Sequence, residues 1–195
     1  PGRRALRRAR DRRGRRRTPR GLAAGVVDRD GSAAPAALLG DDADRPGRVA
    51  LARRVGESLA RLHERRFDEH GLVVDGDADG LVLETGSWTD VLVDRIEWYR
   101  GYTPSDRFDE HFDAVLAAVE ANRGTLDAAP AALLHGDTAK PNCFVADDGA
   151  GFLDWELAHV GDPARDRNRA RRYLGPSRGD DPSAVVDALE AGYRS

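Results

Sequence analysis

The sequence predicts an α+β fold, mostly helical with one small β-hairpin, and three observations carry that prediction. Apolar residues recur at three- and four-residue spacing over several stretches, the period of a helix buried on one face. Two short apolar runs flank the turn residues Asp147-Asp148-Gly149-Ala150, the pattern of a hairpin. Hydrophobic residues make up 40% of the 195 positions and aromatic residues only 6%, which suits one core built mainly of Leu, Val and Ala.

The elements follow in order. Residues 1–20 carry eleven Arg and one Asp, a block of like charge that repels itself and is predicted to be disordered unless a polyanion binds. Residues 21–46 alternate short apolar pieces with Gly, Pro and Asp, and read as a linker or a single weak strand or hairpin. From Gly47 the pattern changes: Val49, Ala52, Val55, Leu59 and Leu62 form one apolar stripe, which predicts the first helix and opens the main domain, 47–195. Trp88, Val91, Leu92, Ile96 and Tyr99 share a face and predict a second helix over 88–99. A third starts near Ser105 or Asp106 as N-cap, turns Phe108, Phe112, Val115, Leu116 and Val119 inward, and stops around Gly124. Ala131–Leu134 reads as a short strand, and Asn142–Ala146 with Gly151–Asp154 as the hairpin. Pro163 suits the first turn of a further helix, and Ser183–Tyr193 is a last amphipathic one.

Charge and cysteine content narrow the function classes. The net charge of −3 hides an asymmetry, because the basic block leaves residues 21–195 strongly acidic. Nucleic-acid binding through the Arg arm is the lowest-ranked reading, because an arm alone does not account for the motifs at residues 133–166. A single cysteine, Cys143, excludes an internal disulfide and a cysteine-based zinc cluster, and predicts a reducing compartment, the cytoplasm. No apolar run approaches the roughly 18–20 residues that cross a bilayer, so no membrane attachment is predicted.

The string LLHGDTAKPNCFV, followed by GFLDWE and GDPARD, carries the chemistry. It places Asp137, Asn142 and Asp154 on a loop and the adjoining hairpin, close enough in chain to converge. Phosphoryl transfer needs a group that orients the attacking hydroxyl and takes its proton, a role that fits Asp137. It also needs oxygen ligands that hold Mg2+ against a triphosphate, and one amide oxygen with one carboxylate suffices when the nucleotide supplies the rest. Asn142 and Asp154 fit that role. Cys143, where a strand begins, reads as a small buried hydrophobe rather than a nucleophile.

HGDTAKPN resembles the His-Gly-Asp-x-x-x-x-Asn catalytic loop of the aminoglycoside phosphotransferase and choline kinase-like families, which share the protein-kinase-like fold. The Asp154 of LDWE is similar to the family's metal-binding Asp, and GDPARD to its Gly-Asp-Pro-x-x-Asp segment. SLARLHE resembles a Leu-x-x-Leu-His segment, which makes His63 structural. The resemblance covers about residues 47–194, with its specific part at 133–166. It implies a protein-kinase-like C-terminal lobe, ATP and Mg2+ as cofactors, and a small-molecule hydroxyl acceptor, aminoglycoside-like or an amino alcohol. It further implies Asp166 as a brace of the catalytic loop and His135 as a packed, orienting residue. Lys140, the only lysine, reads either as a contact to the transferred phosphate or as an exposed residue, and Glu156 either as support for metal or substrate or as surface.

Against that family pattern the beginning of the chain is short. Five strands, one helix and their loops need roughly 60–70 residues, whereas 46 precede the first helix predicted here. No lysine precedes the loop to pair with the α- and β-phosphates, Arg does not reproduce that geometry, and no Gly-rich phosphate loop is present. The expectation is a chain lacking most of an N-terminal lobe and weakly active, with exposed apolar surface that favours a partner chain. The competing expectation is a non-catalytic remnant that binds a metal or a partner.

Overall fold

The computed structural model describes residues 37–38, 45–77, 80–139, 142–146, 149–174 and 182–195; the disordered segment expected over 1–20, most of the linker over 21–46, and Lys140 lie outside them. In chain order the elements are β1 (Ala37–Leu38), α1 (Arg45–His63), β2 (His70–Asp77), β3 (Gly80–Gly86), α2 (Trp88–Tyr102), α3 (Asp109–Ala121), α4 (Arg123–Asp127), β4 (Ala132–Leu134), β5 (Cys143–Ala146), β6 (Gly149–Phe152), β7 (His159–Gly161), α5 (Ala164–Leu174) and α6 (Ser183–Tyr193).

The stripe that predicts the first helix buries Leu51, Ala52, Val55 and Leu59 of α1. It packs on Val185 and Leu189 of α6, Ala170 and Leu174 of α5, and Cys143 and Phe152 of the β5–β6 hairpin, which together form the larger core. Two glycines set how closely α1 and α6 approach. A Cβ at Gly56 would lie 2.1 Å from the Leu189 carbonyl oxygen, and one at Gly192 would lie 2.0 Å from that of Arg53. Both neighbours are backbone, so neither side can yield without moving a helix. Gly56→Ala is therefore expected to lower the unfolding free energy by about 2 kcal/mol, in the range of an overpacked core, as read from the urea midpoint. An unchanged midpoint would mean that α6 slides on α1 without cost.

The hairpin extends to three strands in the order β1-β5-β6, all antiparallel, with Ala37 opposite Val145. Its second strand begins at Gly149, paired with Ala146, two residues before the predicted start. Leu153 and Asp154, predicted as strand, lie beyond it; Asn142 likewise precedes β5. Another sheet, which the sequence pattern does not predict, runs β3-β2-β7-β4, also antiparallel. A second, smaller core joins Leu72 of β2, Trp88 and Val91 of α2, and Leu134 of β4. His159 of β7 stacks on Trp88, with ring centroids 5.6 Å apart and planes at 11°.

Ser87 caps α2: its hydroxyl accepts from the Asp90 amide at 3.1 Å. The third helix departs from expectation in two ways. Ser105 opens a short 3-10 turn over Asp106–Phe108, with the α-helix starting only at Asp109 and ending at Ala121. Its apolar stripe does not enter a core: no residue of α3 is fully buried, Phe112, Leu116 and Val119 are half-buried, and Phe108 and Val115 are exposed. The periodicity is real, but the surface it would cover is not present among the described residues. No helix among these residues is long and apolar enough to cross a membrane.

Candidate active site

The chain leaves β4 at Leu134 and turns sharply, because Gly136 adopts φ +86°, a left-handed conformation that glycine takes without strain. A side chain there would also strike the Leu157 carbonyl, 2.2 Å from an ideal Cβ. The turn aims two consecutive amides at one carboxylate: His135 N–H donates to Asp166 Oδ2 at 2.7 Å and Gly136 N–H to Oδ1 at 3.0 Å. Thr138 adds a hydroxyl bond to the Asp166 carbonyl, 2.9 Å. Asp166 sits fully buried in the first turn of α5. Burial works to raise its pKa, but the neighbouring His63 and the loop amide of His135 outweigh this and hold it below the ordinary carboxylate value. His63 Nε2 lies 3.5 Å from Oδ2, while its Nδ1 is 2.9 Å from the Tyr193 hydroxyl, which ties the end of α6 to this brace.

His135 is fully buried between Phe152 and Trp155. Its Nδ1 accepts from the Asp137 amide at 3.2 Å, so the ring hydrogen resides on Nε2 and donates to the Leu153 carbonyl at 2.8 Å. Burial lowers its pKa, which keeps this tautomer neutral. The imidazole thus has both nitrogens occupied in positioning the loop.

Asp137 is half-buried and turns its carboxylate toward α5, where Arg169 Nε donates to Oδ1 at 2.6 Å. Burial works against the Arg169 charge, but the ion pair with Asp137 outweighs it and raises the pKa. Arg165, one helical turn earlier, lies in the same electrostatic neighbourhood, and burial disfavours its charge. Asn142 closes the loop: its side-chain amide nitrogen donates to the Asp137 carbonyl at 3.0 Å, and its carbonyl accepts from Leu153 N–H at 2.8 Å. Asp154 follows immediately, exposed and in a left-handed conformation at φ 63°, ψ 68°, uncommon for a residue other than glycine. Glu156 is exposed on the next turn. Cys143 is fully buried, and its thiol is pushed up to about 12 by burial, so it is inert at neutral pH.

The loop therefore brings His135, Asp137, Asn142 and Asp166 together by hydrogen bonds, and the backbone bond from Leu153 to Asn142 leaves Asp154 one residue beyond that pairing. The donors available to a cation are oxygens, the Asn142 amide oxygen and the Asp154 carboxylate, which suits a hard ion such as Mg2+. The described residues contain no group of three or more His, Cys, Asp or Glu able to hold a metal alone, so an ion here would take its remaining ligands from water or a phosphate. The sequence pattern assigns Tyr99 to the apolar face of the second helix and gives Arg165 and Arg169 no role; the available signal for the two arginines is their spacing, since 165, 166 and 169 fall on one face of α5.

Buried histidines make the site acid-sensitive. His159 is fully buried with Nδ1 2.8 Å from the Leu157 carbonyl, and burial lowers its pKa to about 3. An unfolded chain takes up that proton near pH 6.5, so the stability is fully present above that pH and falls as pH drops below it. At pH 5 the loss from His159 alone is expected to be about 2 kcal/mol, with His135 acting in the same direction. Urea midpoints at pH 7.5 and pH 5 check this, and equal midpoints would contradict it.

The profile of the phosphotransferase enzyme family matches residues 3–194, and the chain belongs to that family. Its described residues form a mixed architecture of helices and small antiparallel sheets. Among solved structures, a protein named as a fructosamine-3-kinase from Thermobifida fusca YX-ER1 is 28% identical with a TM-score of 0.47, covering 75% of this chain and 52% of that one. A thermostable mutant of the aminoglycoside phosphotransferase APH(4)-Ia is 15% identical with a TM-score of 0.48, covering 83% and 60%. The chain thus spans between half and two thirds of the length of these two structures. No curated protein sequence matches it.

Proposed function

We propose that this chain transfers the γ-phosphoryl group of ATP, with Mg2+, to a hydroxyl of a small molecule. The supporting observation is the pair of hydrogen bonds that the His135 and Gly136 amides donate to the Asp166 carboxylate, which fixes the loop that carries Asp137 and Asn142. Asp137 Oδ1 is held by Arg169, so Oδ2 is the atom that orients the acceptor hydroxyl and takes its proton. Asn142 and Asp154 would hold Mg2+, which, when bound, neutralises charge on the triphosphate oxygens. His135 and Asp166 position the loop and take no part in proton transfer. Lys140 is proposed to contact the transferred phosphate. Residues 47–195 form the catalytic lobe, and the buried thiol suits the reducing cytoplasm.

One observation favours a second reading, a non-catalytic relative that binds a metal or partner. Lys140 is the only lysine of the 195 residues, so none of the residues given ahead of the loop can pair with the α- and β-phosphates as a lysine. Magnesium-dependent ATP turnover with aminoglycoside, amino-alcohol and sugar acceptors decides between them. Phosphorylated product that disappears with EDTA is the expected result; absence of product with every acceptor would replace the first reading by the second.

A further inference from the structure

Arg169 uses one donor on Asp137, and its terminal nitrogens make no hydrogen bond among the described residues. One turn before it on α5, Arg165 has its Nε buried without a hydrogen-bond partner among those residues. The hydroxyl of Tyr99, from α2, is buried and unpartnered in the same way. Tyr99 stands one turn beyond Arg95 on α2, and Arg95 donates at 2.9 Å to the Leu157 carbonyl against which Gly136 is wedged, so this part of α2 lies beside the loop. The nearby Asp166 carboxylate is already occupied by the loop amides, so Asp137 is the acid left to face two guanidinium groups. Arg165 and Arg169 thus leave donors unused on the face of α5 that carries the ion pair to Asp137. Guanidinium groups are suited to oxyanions because their forked donors match two oxygens at once.

We propose that Arg165, Arg169 and Tyr99 form an oxyanion-binding site abutting Asp137, which takes a phosphate or carboxylate group of a reactant. Asp137 is the internal competitor for Arg169, and an incoming oxyanion completes the donors that the folded chain leaves open. The group comes either from the terminal phosphate of the nucleotide or from an acidic hydroxy compound serving as acceptor. In the second case a polycationic acceptor is disfavoured beside these two arginines. The role of this site in the reaction rests on the phosphotransfer reading, but its existence is measurable without turnover.

The experiment is calorimetric titration of the full chain with inorganic phosphate at low ionic strength. Asp137→Asn, which removes the competing carboxylate, is expected to tighten binding about tenfold; Arg169→Gln is expected to weaken it at least tenfold and Tyr99→Phe severalfold. Arg169→Lys, which keeps the charge and loses the fork, falls between. Arg107→Gln, an exposed arginine away from the loop, leaves binding unchanged and controls for adventitious binding to the many arginines. Circular dichroism melts confirm that each variant is folded. Phosphate binding that is insensitive to Arg169→Gln, or absent even in Asp137→Asn, would overturn the proposal. Displacement of phosphate by MgATP assigns the oxyanion to the nucleotide, and displacement by gluconate but not MgATP assigns it to the acceptor; displacement by neither makes the ion adventitious and also overturns it. A chain that binds phosphate in this pattern yet shows no turnover sinks the catalytic reading and leaves the site standing.

Discussion

Asp166→Ala is expected to lower the unfolding free energy by about 3–5 kcal/mol. The carboxylate is fully buried and is the acceptor for the amides of both His135 and Gly136, with His63 Nε2 3.5 Å away. Alanine leaves two buried amides without an acceptor and opens a void where no water is guaranteed the same geometry. Gly136 cannot compensate by rotating, because its left-handed turn is wedged against the Leu157 carbonyl. Asp166→Asn keeps one acceptor oxygen and sets an N–H against the second amide, so an intermediate loss is expected. Urea unfolding at pH 7.5 reads both variants. A loss below about 1 kcal/mol for alanine would show that the loop is held by contacts other than this brace.

Asp137→Ala is expected to reduce kcat/KM for phosphoryl transfer by about a thousandfold or more, equivalent to about 4 kcal/mol of barrier, while leaving stability within about 1 kcal/mol. The two effects separate because of where the residue sits. Its backbone amide and carbonyl carry the loop contacts to His135 and Asn142, and these survive the substitution. The side chain makes its ion pair with Arg169 at partial exposure, where such a pair contributes little to stability. Steady-state kinetics beside a melting curve tests the pair of expectations. A folded variant that retains turnover would remove Asp137 from the reaction, and a variant that loses fold and activity together would make it structural.

Much of the fold was legible because α1 and α6 bury apolar stripes and α2 buries Trp88 and Val91 at its start, and a stripe is a local property of sequence. Ser183–Tyr193 and the start of α2 at Trp88 fall where the pattern placed them. The β2–β3 hairpin escaped because β3 is covered only in part: its positions alternate between exposed and half-buried, and none is fully buried. The third helix misled in the opposite sense, since a helical period states which face is apolar and says nothing about whether a partner surface exists for it.

The same division runs through the candidate site. Asp137, Asn142 and Asp154 stand out in the sequence because their chemistry lies within eighteen residues on one loop and hairpin. That proximity in chain, the turn-forming glycine and the spacing of GDPARD were determined before any folding. Which carboxylate accepts which amide, that His135 is a neutral Nε2–H tautomer, and that Arg169 reaches Asp137 were decided by tertiary structure alone. The physical reason is that burial and hydrogen-bond partnership are properties of the packed surroundings. Asp166 and Arg169 are three residues apart on one helix, yet one carboxylate is sealed in backbone amides and one guanidinium is set against Asp137, only because α5 packs against the loop between β4 and β5.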